Sequence, residues 1–197
     1  MTRTLALMMV LVLAVAGGTN AQDTLEESPR MTPLVNAVQE ASPGVVDITG
    51  FAPIEGYEGS YTLSWGTGSI LHASGFMVTN AHVASEAGQQ VVTLADGRQY
   101  AYRVICESEG QDIAIIKADS DDAFEAITLG RSHDLMLGET VIVIGNPGGL
   151  AHTVTTGIVS GLGRVTGADN AFLTGTIQTD AAINGGNSGG PMINLEG

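Results

Sequence analysis

From Val45 onward the sequence is a succession of short apolar runs separated by turns rich in Gly, Asp and Asn. Runs of this length between such turn residues predict β-strands. The predicted strands are Val45–Ile48, Gly68–Leu71, Phe76–Thr79, Val91–Leu94, Tyr100–Cys106, Ile113–Lys117, Val141–Ile144, Thr153–Ser160, Leu173–Gln178 and Met192–Leu195. Many short strands in regular succession predict an all-β fold, built either as a sandwich or as barrels.

The residues before the first strand have a different pattern. Residues 1–21 are typical of a signal peptide, with Arg3 before the unbroken apolar run Leu5–Ala16 and small residues before Gln22, the predicted mature start. Because a membrane-spanning helix needs about 20 apolar residues, this run predicts no stable membrane insertion after cleavage, and an uncleaved anchor is the alternative. Residues 22–33 predict a flexible lead, and Leu34–Ala41 predicts a short helix that ends at Ser42-Pro43.

Composition excludes several classes of function. The formal net charge of −14 argues against nucleic acid and against anionic membrane surfaces as partners, while 44% hydrophobic residues predict a globular chain. Neither Gly-x-Gly-x-x-Gly nor Gly-Lys-Ser/Thr occurs in the sequence, so we expect no nucleotide cofactor.

Metal and thiol chemistry are also not expected. His72, His133 and His152 lie at no metal-ligand spacing, so the sequence predicts no metal. Cys106 is the only cysteine and cannot form an internal disulfide. Its place in an apolar run predicts a buried, inert thiol.

Three stretches carry candidate catalytic groups. Ser188 lies within Asn184–Pro191, where glycines permit tight turns and the N–H groups of Gly186 and Ser188 could hold an oxyanion. His82 lies in Thr-Asn-Ala-His-Val, and Asp112 begins an apolar run. In the order His, Asp, Ser, which is that of chymotrypsin-like proteases, the imidazole takes the serine proton and the carboxylate orients the imidazole.

Each assignment has a simpler alternative. The octapeptide could be a Gly-rich surface turn with an idle serine, and Asp112 could be a capping or turn acid. Other acids that could replace Asp112 lie in turns or polar loops: Asp96, Asp119, Asp121, Asp122 and Asp134.

The sequence resembles the HtrA/Deg family of exported serine proteases. The matching stretches are Thr79–Val83, Asp112–Lys117, Gln178–Asn184 running into Gly186–Pro191, and Gly145-Asn146-Pro147 followed by Thr155–Ser160. The likeness extends from about Leu34 to Gly197. Gly185 stands where the family usually has proline, which should loosen the loop before Ser188.

The resemblance implies a chymotrypsin/trypsin-like double β-barrel with the active site in the cleft between the barrels. Residues 34–124 would form the first barrel and residues 125–197 the second. Because the chain ends nine residues after Ser188, and at least two more strands follow in the family, we expect the second barrel to be incomplete. Ala182 and Ile183 would line the near side of a specificity pocket that favours small aliphatic side chains.

The resemblance also implies a function. The expected activity is that of an ATP-independent, periplasmic serine endopeptidase of protein quality control and the stress response, which cleaves unfolded or misfolded polypeptides as a homo-trimer or larger assembly. The alternative is a proteolytically inactive binder of unfolded chains with an incomplete active site. The aromatic residues Tyr57, Tyr61 and Trp65 predict packing against the first barrel, with a peptide-contacting patch as the alternative.

Overall fold

A computed structural model describes residues 28–53, 60–85, 89–145, 153–168 and 171–197, with backbone alone at 52–53, 60–63, 168 and 171. The chain divides into two compact units, Met1–Met31 and Thr32–Gly197, and the second unit carries the fold presented below. The predicted signal peptide, the mature start at Gln22, most of the predicted lead, Asn146-Pro147, Tyr57 and His152 lie outside the described residues, as does the side chain of Tyr61.

The ten predicted strands are confirmed in position, and most are longer than the sequence pattern indicated. The strands are β1 (Val45–Pro53), β2 (Ser60–His72), β3 (Phe76–Thr79), β4 (Gln89–Leu94), β5 (Gln99–Ser108), β6 (Ile113–Ala118), β7 (Thr140–Gly145), β8 (Thr153–Ala168), β9 (Ala171–Thr179) and β10 (Met192–Ile193). The helices are α1 (Pro33–Ala41) and α2 (Ala81–Ala84), and single 3₁₀ turns cover Ser42–Gly44 and Glu109–Gln111. No helix in the described ranges has the length and apolar character needed to cross a bilayer.

The first six strands close into an antiparallel barrel in the order β1-β2-β3-β6-β5-β4. Alternate side chains of these strands fill the barrel, with Ile48, Ile70, Met77 and Ile116 almost fully buried. The remaining strands form a four-stranded sheet in the order β10-β7-β8-β9. A six-stranded barrel beside a second, partial β-structure confirms the expected all-β class.

Helix α1 packs on the core of the second sheet. Thr32 caps the helix by accepting the Val35 N–H, and Pro33 occupies the first turn, where its missing N–H costs nothing. Ala37 and Ala41 then bury against Ile142 and Ile144 of β7. The helix before β1 therefore stabilises the four-stranded sheet. Ser188 lies between β9 and β10, which are two strands of that sheet.

Two expectations about single residues are wrong. Cys106 is exposed, because it lies in residues 103–107 of β5, which are exposed on both faces of the strand. Trp65 is also exposed, at 45%, and does not have the buried position that packing against the barrel predicts. His72 ends β2, and its Nδ1 bonds locally to Ser74.

Candidate active site

His82 lies on the one-turn helix α2, directly after β3. Its neighbours Ala81, Val83 and Ala84 are buried, so the short helix is fastened by three small apolar side chains. The His82 side chain is 57% exposed. The imidazole is thus held by its backbone while the ring edge faces solvent.

Asp112 binds the His82 ring. Its two carboxylate oxygens lie 2.9 and 2.8 Å from His82 Nδ1, and Oδ1 also accepts the backbone N–H of His82 at 3.1 Å. Because a carboxylate only accepts, Nδ1 is assigned as the donor, which leaves Nε2 as the basic nitrogen of the neutral ring.

The backbone of Asp112 has an unusual conformation. Asp112 has φ 52° and ψ 47°, and no other non-glycine residue in the described ranges has a positive φ. Aspartate tolerates this left-handed region better than most residues. The conformation is held from the other side by Asn80, whose Nδ2 donates to the Asp112 carbonyl oxygen at 2.7 Å. The turn before β6 therefore aims the carboxylate back at His82.

Ser188 lies on a turn shaped by glycines. Gly186 and Gly189 have φ values of 96° and 81°, which side chains rarely adopt. The turn is closed by hydrogen bonds from Asn187 N to Asn184 O and from Gly190 N to Asn187 O. The N–H groups of Gly186 and Ser188 donate to no other described residue, so both are free to bind an anionic oxygen.

The Ser188 turn is attached to the barrel that carries His82. The Ser188 carbonyl oxygen accepts the Thr67 N–H of β2 at 2.8 Å. A Cβ on Gly189 would lie only 3.0 Å from Asn80 N, two residues before His82. No hydrogen bond joins the Ser188 hydroxyl to the His82 ring in the described part of the chain. Two of the three predicted groups are thus bonded to each other, and the third lies on a turn held beside them.

The two predicted substrate-binding residues lie on the segment that leads to the Ser188 turn. Both Ala182 and Ile183 are exposed, Ile183 at 58%. The Ala182 carbonyl oxygen accepts the Thr155 hydroxyl at 2.9 Å and, more weakly, Asn187 Nδ2 at 3.4 Å. Ile183 lines a recess together with Val165 and Ile177 of the β8–β9 hairpin. The lining of this recess is mixed, because Arg164, Gln178 and three threonines lie beside these three apolar side chains.

Three of the five acids that compete with Asp112 in the sequence have other partners. Asp96 binds Arg98 in the β4–β5 turn, where the Arg98 N–H and guanidinium lower the pKa of the Asp96 carboxyl. Asp119 pairs with Arg103 at 2.6 Å, and Asp122 accepts the Tyr100 hydroxyl.

Sequence reasoning missed three polar residues around the turn. Thr67, Thr79 and Asn187 are all buried, and each bonds to backbone of the site. Thr67 lies between Gly66 and Gly68. A hydroxyl residue alternating with glycines inside an apolar strand was the available signal, because a buried hydroxyl must find a partner.

Comparison with known proteins places this arrangement in context. Residues 66–197 match the family described as trypsin-like peptidase domain. The chain is 36% identical to a probable periplasmic serine endoprotease DegP-like of Halomonas elongata, with 100% of this chain and 48% of that protein covered. It is 40% identical to the serine protease HTRA1 of Xenopus tropicalis, with 83% and 36% covered.

A solved structure gives the same likeness. It is titled as the HtrA-type protease AlgW with a tripeptide, and it matches with a TM-score of 0.70 and 37% identity over 82% of this chain and 50% of that one. The chain spans about half or less of the length of these relatives.

Proposed function

This chain belongs to the family of trypsin-like peptidase domains, with relatives of the DegP and HtrA type, and on that premise we propose that it is an ATP-independent serine endopeptidase that cleaves unfolded polypeptides. The observation that carries the proposal is the bond between His82 Nδ1 and both oxygens of Asp112. A carboxylate on Nδ1 makes the opposite ring nitrogen a base, which is what a serine nucleophile requires.

The proposed reaction uses five groups. Ser188 Oγ attacks the peptide carbonyl carbon while His82 Nε2 takes the hydroxyl proton, and Asp112 stabilises the resulting imidazolium. The Gly186 and Ser188 N–H groups hold the oxyanion of the tetrahedral intermediate. His82 then gives its proton to the leaving amine, and water attacks the acyl-enzyme by the same route in reverse.

The substrate class is proposed from the exposure of the site and from the relatives. The imidazole edge and Ile183 both face solvent, so an extended chain can reach them without unfolding the enzyme. Relatives carry names such as serine endoprotease, and the solved neighbour is titled with a tripeptide. We further propose export to the periplasm, supported by the signal-peptide pattern of residues 1–21 and by relatives named periplasmic. Assembly into a trimer or larger oligomer stays a prediction from resemblance.

A fluorophosphonate probe tests the activity. The full-length protein should gain one probe mass at Ser188, and Ser188→Ala should gain none, because the probe reacts only with a serine that is activated and held beside oxyanion donors. Casein should then be cleaved by the wild type alone. A full-length protein that neither takes the probe nor cleaves casein would contradict the proposal.

One observation favours a second candidate, a non-proteolytic binder of unfolded chains. In the described residues the Ser188 hydroxyl is not hydrogen-bonded to the His82 ring, although such bonds are often long before substrate binds. The two candidates differ in one measurement. A binder would hold casein and protect it from aggregation equally well as wild type and as Ser188→Ala, and neither form would produce fragments.

A further inference from the structure

Thr67, in the middle of β2, contacts the Ser188 turn at two points. Its hydroxyl donates to the Gly186 carbonyl oxygen at 2.7 Å, and its backbone N–H donates to the Ser188 carbonyl oxygen at 2.8 Å. Thr67 is fully buried. One residue of the first barrel therefore bonds both residues whose N–H groups would bind the oxyanion.

The turn has two internal hydrogen bonds but is rich in glycine, so its backbone conformation also depends on contacts from outside the turn. Glycine occupies residues 185, 186, 189 and 190, so the backbone around Ser188 has a wide choice of dihedral angles. Hydrogen bonds to the carbonyl oxygens of Gly186 and Ser188 fix the backbone on either side of the 187–188 peptide. The 187–188 peptide itself, which carries the Ser188 N–H, is bonded within the turn through its Asn187 carbonyl oxygen, which accepts the Gly190 N–H at 2.9 Å. Thr67 adds the bonds to the two flanking peptides, and oxyanion donors work only when they are aimed in advance.

Thr67 is itself held in place. The Thr79 hydroxyl donates to the Thr67 carbonyl oxygen at 2.6 Å, and Thr79 is also buried. Asn80, the next residue, bonds the Asp112 carbonyl oxygen. A continuous path of hydrogen bonds and covalent chain thus runs from the acid, past the residues before His82, to the turn of the nucleophile.

We propose that Thr67 is a positioning residue for the proposed reaction: its hydroxyl sets the orientation of the oxyanion turn from the neighbouring barrel. This inference rests on the proposed function. The hydroxyl acts through Gly186 and does not touch the reacting atoms. Its loss leaves a buried carbonyl oxygen without that donor, and the turn relaxes to satisfy it elsewhere.

Two substitutions distinguish a positioning role of the Thr67 hydroxyl from a packing role of the Thr67 side chain. Thr67→Val keeps the shape and loses the donor, whereas Thr67→Ser keeps the donor and loses a methyl group. In the full-length protein we expect Thr67→Val to lower kcat on casein-derived peptide and the rate of fluorophosphonate labelling by about 10- to 100-fold, with KM within about threefold of wild type. We expect Thr67→Ser to keep both rates within about threefold of wild type, even where its unfolding midpoint falls below that of Thr67→Val.

A second pair of variants tests the inference if Thr67→Val does not fold. Thr67→Ala and Thr67→Ser both lack the methyl group and differ only in the hydroxyl. At equal folded fraction, kcat should therefore be about 10- to 100-fold lower in Thr67→Ala than in Thr67→Ser. Activities that follow the unfolding midpoints rather than the hydroxyl would overturn the inference, as would wild-type labelling by Thr67→Val. Those results leave the proposed function intact. A wild-type protein that takes no probe overturns the proposed function and this inference with it.

Discussion

The close approach of Gly189 to the first barrel gives the sharpest test of how the turn is held. Gly189 has φ 81°, and a Cβ added there would lie 2.1 Å from Thr79 Oγ1 and 2.2 Å from the Thr67 carbonyl oxygen. Gly97, in the turn between β4 and β5, has φ 86°, and a Cβ there would meet nothing within 4 Å. Gly97→Ala is therefore a matched control for Gly189→Ala: it carries the same backbone strain without the collision.

The expected losses of stability follow from these two terms. An L side chain at positive φ costs about 1–2 kcal/mol, and this term applies at both positions. Forcing an extra methyl into a closely packed site costs about 1–3 kcal/mol more, and this term applies at Gly189 alone. We therefore expect Gly97→Ala to lower the free energy of unfolding by about 1–2 kcal/mol and Gly189→Ala by about 2–5 kcal/mol.

Urea unfolding measures the free energy of unfolding of each variant. Fluorophosphonate labelling of the folded fraction measures whether Ser188 is still reactive. Because Thr67 and Thr79 are buried, they cannot turn aside into solvent, so the Ser188 turn must move. Gly189→Ala should lose labelling while Gly97→Ala keeps it. Equal stability losses at the two positions, or full labelling of folded Gly189→Ala, would refute the contact between the turn and the barrel.

Two further substitutions test the acid and one local contact. Asp112→Asn keeps a residue that tolerates the left-handed backbone, but it places an amide instead of a carboxylate beside His82 Nδ1. Because the amide can hold the wrong tautomer of the imidazole, kcat in steady-state assays should fall on the order of 10⁴-fold. An unchanged kcat would contradict the role of the carboxylate. The Met136 N–H and then Asn194 Nδ2 donate to Glu139 and lower the pKa of its carboxyl, so the stability it adds is present at neutral pH and is lost as pH falls through that lowered pKa. Glu139→Gln should accordingly lose less of its unfolding midpoint than wild type between about pH 6 and about pH 3, and equal losses would contradict this assignment.

The strands could be predicted from sequence because their signal is local. Each apolar run and its flanking turn residues lie within a few positions of each other, and all ten runs became strands. His82, Asp112 and Ser188 could be predicted for a related reason. Each lies in a short motif whose residue types allow the backbone conformation that the proposed chemistry needs. What they do in catalysis stays a prediction until the substitutions above are measured.

Long-range features could not be predicted in the same way. The partner of the Thr67 hydroxyl lies 119 positions away, so no window of sequence contains both groups. The exposure of Cys106 depends on which parts of the fold cover β5, and residues 103–107 are exposed on both faces of that strand despite their apolar members. The packing of α1 on the second sheet likewise depends on where β7 lies, since the apolar positions of the helix show only which face is buried and not its partner.

The bonds from Thr67 also make the site depend on two distant parts of the chain. Synthesis proceeds from the N-terminus, so the barrel that holds His82 and Asp112 is made before any residue of the Ser188 turn exists. Because the turn takes its bonds from residue 67, it can be completed only on a barrel that has already formed β2. A half-made chain thus carries an imidazole–carboxylate pair with nothing to activate. The proposed activity therefore requires both parts of the chain to be folded and in contact.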